Sequence, residues 1–283
     1  MRTIEDILEY TETHKINGKI IAIDFQKAFD SVSRNFIFEA LSVFNFGPSL
    51  KQWVYTFYNN ISSCVLNNGF STGPFQVQRG VRQGDPLSAY LFIICIEILA
   101  INLRSDKSIR GIDVNNEEIK MGLFADDLTA FLRDDRSLVN FLKLVKEFGQ
   151  LSGLKINFEK SEIMFLGNQD PAASDDYELH NIKVKKALKI LVLYFSYDYR
   201  LKQKLNFDEI IDFIKTKLKI WKCRDPTVIG RIQIVKTFIV PIFMYHAGMI
   251  SLNKEIISEA NKDRKSTRLN PSHRSLSRMP SSA

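Results

Sequence analysis

The sequence predicts an α+β protein in which a β-α-β-β-α-β sheet with covering helices is followed by a helical region. Residues 19–25 (KIIAIDF) are a short continuous apolar run, which is typical of a strand buried on both faces. Residues 119–132 (IKMGLFADDLTAFL) are two apolar runs on either side of an acidic pair, which predicts a hairpin with the acids at its bend. From about residue 207 onward the pattern is wholly helical, so we predict a domain boundary near residue 205.

Helices follow the first predicted strand. Apolar residues at helical spacing predict one helix that has Ser33 as its N-cap and ends at Gly47, and a second helix over residues 50–58. The tripeptide Asn67-Asn68-Gly69 predicts the turn of a small hairpin. The dipeptide Asp85-Pro86 predicts the N-cap and first residue of a long buried helix.

The remaining elements complete the predicted sheet. An amphipathic helix over residues 138–148 is predicted to end near Gly153. The segments LKIN (154–157) and SEIMFL (161–166) then predict strands, and ALKILVLYFSY (187–197) predicts a further strand region. This order of elements is that of the ferredoxin-like or RRM-like arrangement.

The composition allows a substantial core and excludes several classes of protein. Of the 283 residues, 45% are hydrophobic, which argues against disorder. The cysteines Cys64, Cys95 and Cys223 are widely spaced, which argues against a disulfide framework or a zinc site and suits a reducing compartment. The apolar run over residues 86–103 approaches the length of a membrane span, but Glu97 interrupts it. We therefore predict a buried helix and no membrane partner.

The net charge of +7 suggests an acidic partner such as nucleic acid, although much of it comes from the last residues. Residues 263–283 have no apolar periodicity and carry a net charge of +4. Their first eight residues, DRKSTRLN, resemble the translation of a ligation adapter used for sequencing libraries. We therefore interpret this segment as a read-through artefact; the alternative is a disordered basic arm. The rest of the chain then carries +3, and the motifs have to support the nucleic-acid hypothesis.

The acidic pair Asp126-Asp127 has two interpretations. Adjacent aspartates at a turn are most often a solvated bend without a function. Alternatively, Asp24 at the end of the first strand lies beside this hairpin, so that three carboxylates converge at one edge of the sheet. Carboxylates bind hard divalent cations, and two Mg²⁺ ions about 4 Å apart can activate a 3′-hydroxyl and stabilise a leaving pyrophosphate.

Four segments occur in order and at suitable spacing: AIDFQKAFDSV (22–32), RGVRQGDPLSAYLF (79–92), LFADD (123–127) and SGLKINFEKSEIM (152–164). Together they resemble the successive palm motifs of reverse transcriptases, most closely those of non-LTR, LINE-type retrotransposons. KILVLYFSYD (189–198) resembles the primer-grip segment that follows. The resemblance covers nearly all of residues 1–255. It implies a palm with a partial fingers remnant over residues 1–205 and a helical thumb over residues 206–262.

The resemblance implies a role for each residue that matches the family's motifs. Asp24, Asp126 and Asp127 are implied to bind two Mg²⁺ ions, with Mn²⁺ as an alternative. Lys160 is implied to protonate the leaving pyrophosphate, with a solvated lysine as an equal alternative. Phe29 stands where the family has a steric gate against the ribose 2′-hydroxyl; its alternative is a ring in the core. The positions implied to contact the nucleotide are Phe25, Phe29, Arg82, Gln83, Gly84 and Ala125.

The resemblance also implies partners, namely an RNA template, a DNA primer and dNTPs, and a location in cytoplasm and nucleus. It indicates no oligomeric state. The residues implied to grip the nucleic-acid backbone are Arg79, Lys215, Lys219, Lys222, Arg224, Arg231 and Lys236. A solvated, charge-rich helix face is the alternative for the residues of the thumb.

The sequence thus predicts an RNA-directed DNA polymerase. We expect it to be truncated, because the family's fingers precede AIDF and only some twenty residues do so here. The alternatives are a catalytically silent nucleic-acid-binding remnant and a maturase-like relative. Phe29 argues against an RNA-directed RNA polymerase.

Overall fold

The computed structural model describes residues 2–167, 178–224 and 226–250. The chain forms two compact units, one of residues 10–191 and the other of residues 1–9 together with the residues from 192 onward. The end of the predicted thumb (251–262) and the segment interpreted as read-through (263–283) lie outside the described residues.

The first unit mixes helices and strands, as the sequence predicts. Helix α1 (Arg2–Thr13) begins in the second unit and ends in the first. The elements that follow are β1 (Gly18–Ile23), α2 (Ala28–Ser31), α3 (Arg34–Val43), α4 (Pro48–Tyr58), β2 (Ser62–Ser63), β3 (Leu66–Asn67), β4 (Phe70–Ser71), β5 (Phe75–Gln76), α5 (Pro86–Ser105), β6 (Ile112–Val114), β7 (Glu117–Ile119), β8 (Met121–Phe124), β9 (Asp127–Leu132), α6 (Asp135–Ser152), β10 (Glu162–Leu166), β11 (Glu178–Leu179), β12 (Ile182–Val184) and β13 (Leu188–Ile190).

A six-stranded sheet with the order β11-β12-β10-β1-β9-β8 forms the centre of this unit. Strand β1 pairs in antiparallel fashion with both β10 and β9, and β8 and β9 form the predicted hairpin. The order β10-β1-β9-β8 is the one that a β-α-β-β-α-β layer requires. Strand β1 is central in the sheet, and its successive residues Ile20 and Ile21 are both buried, so the strand is covered on both faces, as its continuous apolar run predicts.

Turn and cap signals in the sequence correspond to local structure at three positions. Asn68 and Gly69 both have positive φ between β3 and β4, which is the type I′ geometry of a two-residue hairpin. Asp85 caps α5, because its Oδ1 accepts a hydrogen bond of 3.0 Å from the N–H of Leu87. Gly153 ends α6 in the left-handed conformation, with φ of 84°.

Two local predictions are wrong. Gly47 does not end the helix that follows Ser33, because α3 ends at Val43 and Asn45 takes the positive φ of the turn. Gly47 instead precedes Pro48 as the N-cap of α4. The segment LKIN is not a strand, since only an isolated bridge between Ile156 and Phe25 forms there.

The second unit is mainly helical. Its elements are β14 (Leu193–Phe195), α7 (Tyr199–Gln203), a π-helical turn (Lys204–Asp208), α8 (Glu209–Lys222), α9 (Val228–Ile234), a second π-helical turn (Val235–Ile239) and α10 (Val240–Met249). After residues 1–9, this unit continues from residue 192, which is upstream of the change in pattern near residue 205. Asn206 in the first π-helical turn forms hydrogen bonds with Tyr194 of β14. The Asn206 side chain accepts from the N–H of Tyr194 at 2.9 Å and donates to the carbonyl of Tyr194 at 2.7 Å.

Two helical segments are long and apolar enough to cross a membrane by length and composition alone, Pro86–Ser105 and Val228–His246. Core helices meet the same test. The first segment is α5, whose Leu91, Phe92 and Leu99 are buried in the core of the first unit. The run is a helix with one face buried in the core, as predicted, whereas Tyr90, Ile93 and Ile101 on its remaining surface are exposed.

Candidate active site

Strand pairing brings the three predicted aspartates to one end of the sheet. Ile23 lies opposite Leu128 in the antiparallel register of β1 and β9. Asp24 directly follows Ile23 and Asp127 directly precedes Leu128, so the two aspartates lie at the same end of the paired strands. Asp126 precedes Asp127 in the turn of the β8–β9 hairpin. All three residues are half-buried.

The hairpin turn is strained at Ala125. Phe124 pairs with Asp127, which leaves Ala125 and Asp126 as a two-residue turn. Ala125 has a φ of 52°, whereas Asp126 has no positive φ. A positive φ at only the first central residue is a feature of type II′ turns, which favour glycine there. A positive φ of this kind costs a residue with a Cβ roughly 1–3 kcal/mol, and such strain clusters at functional sites.

In the part of the chain that the structure describes, basic side chains do not pair with the three carboxylates. Among the described residues, no lysine or arginine forms an ion pair with Asp24, Asp126 or Asp127. Burial raises the pKa of the Asp127 carboxyl, and the negative charges of Asp126 and Asp24 raise this pKa further. The structure thus concentrates negative charge that a bound cation would stabilise.

Asp24 is held by a set of hydrogen bonds from the segment that follows α6. The side-chain amide of Asn157 donates from Nδ2 to Asp24 Oδ2 at 2.9 Å, and the backbone N–H of Asn157 donates to the Asp24 carbonyl at 2.8 Å. The backbone N–H of Asp24 donates to Ser161 Oγ at 3.2 Å. Ser161 Oγ in turn donates to the Asn157 carbonyl at 2.8 Å. Position and orientation of Asp24 are therefore fixed at both its backbone and its carboxylate.

The donor set suits a hard divalent cation. It consists of carboxylate oxygens, which Mg²⁺ and Mn²⁺ prefer over the nitrogen and sulfur ligands of zinc sites. The side chains do not converge on a point, because within the described residues no three acidic, histidine or cysteine side chains are close enough to hold one ion. The residues fit the chemistry of the metal, and the pairing of β1 with β9 brings Asp24 and Asp127 to the same end of the sheet.

A cavity of about 800 Å³ opens beside these acids. Asp24, Phe25 and Asp126 contribute to its wall, and so do the predicted basic residues Arg79 and Lys160. Lys27 and Lys155, which the sequence analysis did not single out, also line it. A cavity with carboxylates and exposed cations can receive a polyphosphate together with its metal ions.

Three of the other predicted nucleotide contacts, Arg82, Gln83 and Gly84, lie in the loop of residues 79–85, outside this lining. Hydrogen bonds hold the loop against the segment that follows β1. The backbone N–H of Gly80 donates to the Val32 carbonyl and that of Val81 donates to the Phe29 carbonyl, both at 2.8 Å. The Gln83 amide donates to Asp30 Oδ1 at 3.2 Å. Arg82, Gln83 and Gly84 are exposed, as is Arg79 of the same loop.

Phe29 has features expected of a core residue and features expected of a steric gate. Its ring stacks on Phe92 of α5 with centroids 4.5 Å apart, and it packs against the hydrophobic core. The ring is only half-buried. The gate assignment stays a prediction.

The predicted basic residues of the second unit are mostly exposed. Lys219, Arg224 and Lys236 are exposed, and Arg224 lies over the ring of Trp221 at 5.1 Å. Arg231 donates from Nε to the Pro226 carbonyl at 2.8 Å, and Lys215 is half-buried with interactions of its own. The side chain of Lys222 lies outside the described residues.

Sequence reasoning missed Asn157 and Ser161. They lie 133 and 137 residues from their partner Asp24, and no local pattern marks an asparagine or serine in a polar turn as a partner of a distant carboxylate. Their position within the motif SGLKINFEKSEIM was the only available signal.

Comparison with known proteins gives consistent matches. The family model "Reverse transcriptase (RNA-dependent DNA polymerase)" matches residues 1–206. The uncharacterized 149 kDa protein of transposon TX1 from Xenopus laevis is 26% identical over 92% of this chain and 20% of its own length. The Pol polyprotein of the type-2 retrotransposable element R2DM from Drosophila melanogaster is 33% identical over 56% of this chain and 15% of its own length. The chain therefore spans a fifth or less of these two relatives.

A solved structure is also similar. Telomerase from Candida tropicalis, in complex with a fragment of telomeric RNA, superposes with a TM-score of 0.48 at 11% identity. The match covers 94% of this chain and 45% of that chain.

Proposed function

The chain belongs to the reverse transcriptase family, and we propose that it is the polymerase core of a non-LTR retrotransposon protein, which copies RNA into DNA. Its relatives include retrotransposon polyproteins, and the family is one of nucleotidyltransferases. In this proposal residues 1–205 are the palm with part of the fingers, and residues 206–262 are the thumb.

The observation that carries the proposal is the register of β1 and β9. It sets Asp24 beside Asp127 and the strained Ala125-Asp126 turn, with no basic side chain paired to the acids among the described residues. Carboxylates tolerate this proximity when a cation neutralises them. Two Mg²⁺ ions at such a site would activate the primer 3′-hydroxyl and stabilise the leaving pyrophosphate.

The residues at this site would then have separate roles in the reaction. Asp24, Asp126 and Asp127 would hold the metal ions, and Mn²⁺ would be an alternative to Mg²⁺. Lys160, which is exposed at the cavity, would protonate the leaving pyrophosphate. Arg79 at the same cavity would contact phosphate.

The proposed partners are an RNA template, a DNA primer and dNTPs. The exposed cations of the second unit, Lys219, Arg224 and Lys236, would contact the backbone of the duplex without reading its sequence. The proposal includes action inside the cell, in cytoplasm and nucleus, as expected of retrotransposon polymerases.

The test is extension of a DNA primer on an RNA template by the purified chain and by Asp126→Asn. We expect the substitution to slow extension by about a thousandfold, because loss of a metal ligand removes several kcal/mol of transition-state stabilisation. Asp113→Asn is the matched control, since Asp113 forms an exposed ion pair with Arg133 at 2.8 Å.

Extension by Asp126→Asn at the rate of the unmodified chain would refute the proposal. Salt-sensitive binding of the template–primer by the unmodified chain, without any extension, would assign the chain to nucleic-acid binding alone.

A further inference from the structure

A closed circuit of hydrogen bonds joins the proposed metal ligand Asp24 to the turn after α6. The circuit runs from the Asp24 N–H to Ser161 Oγ, from Ser161 Oγ to the Asn157 carbonyl, and from the Asn157 N–H back to the Asp24 carbonyl. Each member is thus bonded to both others. These three hydrogen bonds fix the backbone of Asn157 relative to that of Asp24 without a contribution from the Asn157 side chain.

The Asn157 side chain adds a contact that the circuit does not need. Its Nδ2 donates to Asp24 Oδ2 at 2.9 Å, and this is the hydrogen bond that fixes the direction of the carboxylate. Among the described residues no other side chain donates to this carboxylate. One oxygen is therefore held by the amide while the other stays available at the cavity, which Asp24 and Asn157 both line.

The chemical nature of the donor matters. A lysine or arginine at this position would form an ion pair with Asp24 and compete with a cation for the carboxylate. An amide donates a hydrogen bond without adding positive charge, so the carboxylate keeps its full charge for the metal. Hydrogen bonds of this kind orient metal-binding carboxylates and raise the affinity of the site.

We propose that Asn157 is a positioning residue, which orients the Asp24 carboxylate for a divalent cation through its Nδ2–Oδ2 hydrogen bond. The inference rests on the proposed function, because it assumes that Asp24 binds a metal ion. The same turn also fixes Lys160, whose N–H donates to the Asn157 carbonyl at 3.2 Å. Asn157 therefore forms hydrogen bonds both with Asp24, the proposed cation ligand, and with the backbone of Lys160, the proposed proton donor.

The experiment is a titration of the full chain with Mn²⁺, in which the free ion is measured by electron paramagnetic resonance and Mg²⁺ is added as competitor. We expect Asn157→Leu to weaken Mn²⁺ binding by about tenfold or more, as is typical when a hydrogen-bond partner of a metal ligand is lost. The backbone bonds of the circuit do not involve the amide and remain in this variant.

Two controls separate orientation from general damage. Asn140→Leu removes an equivalent amide, which donates to the Ser108 carbonyl at 3.1 Å away from the acids, and should leave Mn²⁺ affinity unchanged. Asp24→Asn removes the proposed ligand itself and should abolish the Mn²⁺ binding that Mg²⁺ displaces. If Asn157→Leu does not fold, as judged by thermal melting, Asn157→Ser removes the same contact without adding bulk.

The outcomes distinguish the two levels of the proposal. Loss of Mn²⁺ binding in Asp24→Asn together with unchanged binding in a folded Asn157 variant would overturn the positioning role and leave the proposed function intact. Identical Mn²⁺ binding by the unmodified chain and Asp24→Asn, or no binding by either, would overturn the metal site and the positioning role with it. Weakened binding in the Asn157 variant, but not in Asn140→Leu, supports both.

Discussion

The two ends of strand β9 place an aspartate in opposite electrostatic environments. At the start of the strand, burial and the neighbouring charges of Asp126 and Asp24 raise the pKa of Asp127. Just past its end, Asp134 caps helix α6. There the hydrogen bond from the backbone N–H of Ser137, 2.7 Å long, is the main cause of a lowered pKa of the Asp134 carboxyl.

The difference shows which carboxylate serves folding. A helix N-terminus stabilises a negative charge, so the ionised Asp134 contributes to the stability of the fold. The surroundings of Asp127 disfavour its charged form and raise its pKa, and an acid of this kind is a candidate for a functional site. The same residue type therefore stabilises the fold at one end of the strand and is tolerated at the other.

The largest effect is expected on primer extension, which should depend on Asp127 but not on Asp134. Asp127→Asn should slow primer extension by about a hundredfold or more, as expected when a group that stabilises the transition state is lost. Asp134→Asn should extend primers at the normal rate, because asparagine caps helices about as well as aspartate. Equal losses in the two variants, measured on the same template–primer, would show that the two sites do not differ in function.

The next effect concerns stability and its dependence on pH. Asp134→Ala should lower the free energy of unfolding by about 1 kcal/mol at neutral pH, as measured by urea denaturation, because the N-cap is lost. The folded-state pKa of Asp134 is lowered, so its charge stabilises the fold above the unfolded-state pKa and ceases to do so as pH falls through the folded-state pKa.

Asp134→Asn is the matched control for this measurement, since it keeps the cap and removes the charge. Its stability should be close to that of the unmodified chain at neutral pH but should lack this acid-dependent loss. A stability difference between Asp134→Ala and the unmodified chain that persists unchanged at low pH would contradict a contribution from the ionised cap.

The smallest effect is expected at the other end of the strand. In metal-free buffer, Asp127→Asn should raise the free energy of unfolding slightly, by about 0.5 kcal/mol or less, because it removes one charge from three adjacent acids. Denaturation in the presence of a chelator measures this gain. A clear loss of stability would mean that Asp127 supports the fold, and the contrast with Asp134 would then disappear.

Much of the fold could be predicted because its signals are local. The apolar run of β1, the turn at Asn68-Gly69 and the cap at Asp85 each follow from a few adjacent residues, and the structure has all three. The errors at Gly47 and LKIN arose where two local interpretations compete. A glycine before a proline ends one helix or begins the next, and a short apolar run is a strand only if it finds a partner.

The sequence by itself determined the family, through the order of four motifs, and it determined that two aspartates lie at a hairpin bend. Tertiary structure alone decided that Asp24 lies beside Asp127, that Asn157 donates to Asp24 across 133 residues of chain, and that the pKa of Asp127 is raised. The reason is physical. Propensities, turns and caps act over a few residues, whereas strand register, burial and the interaction of charges depend on segments that only folding brings together.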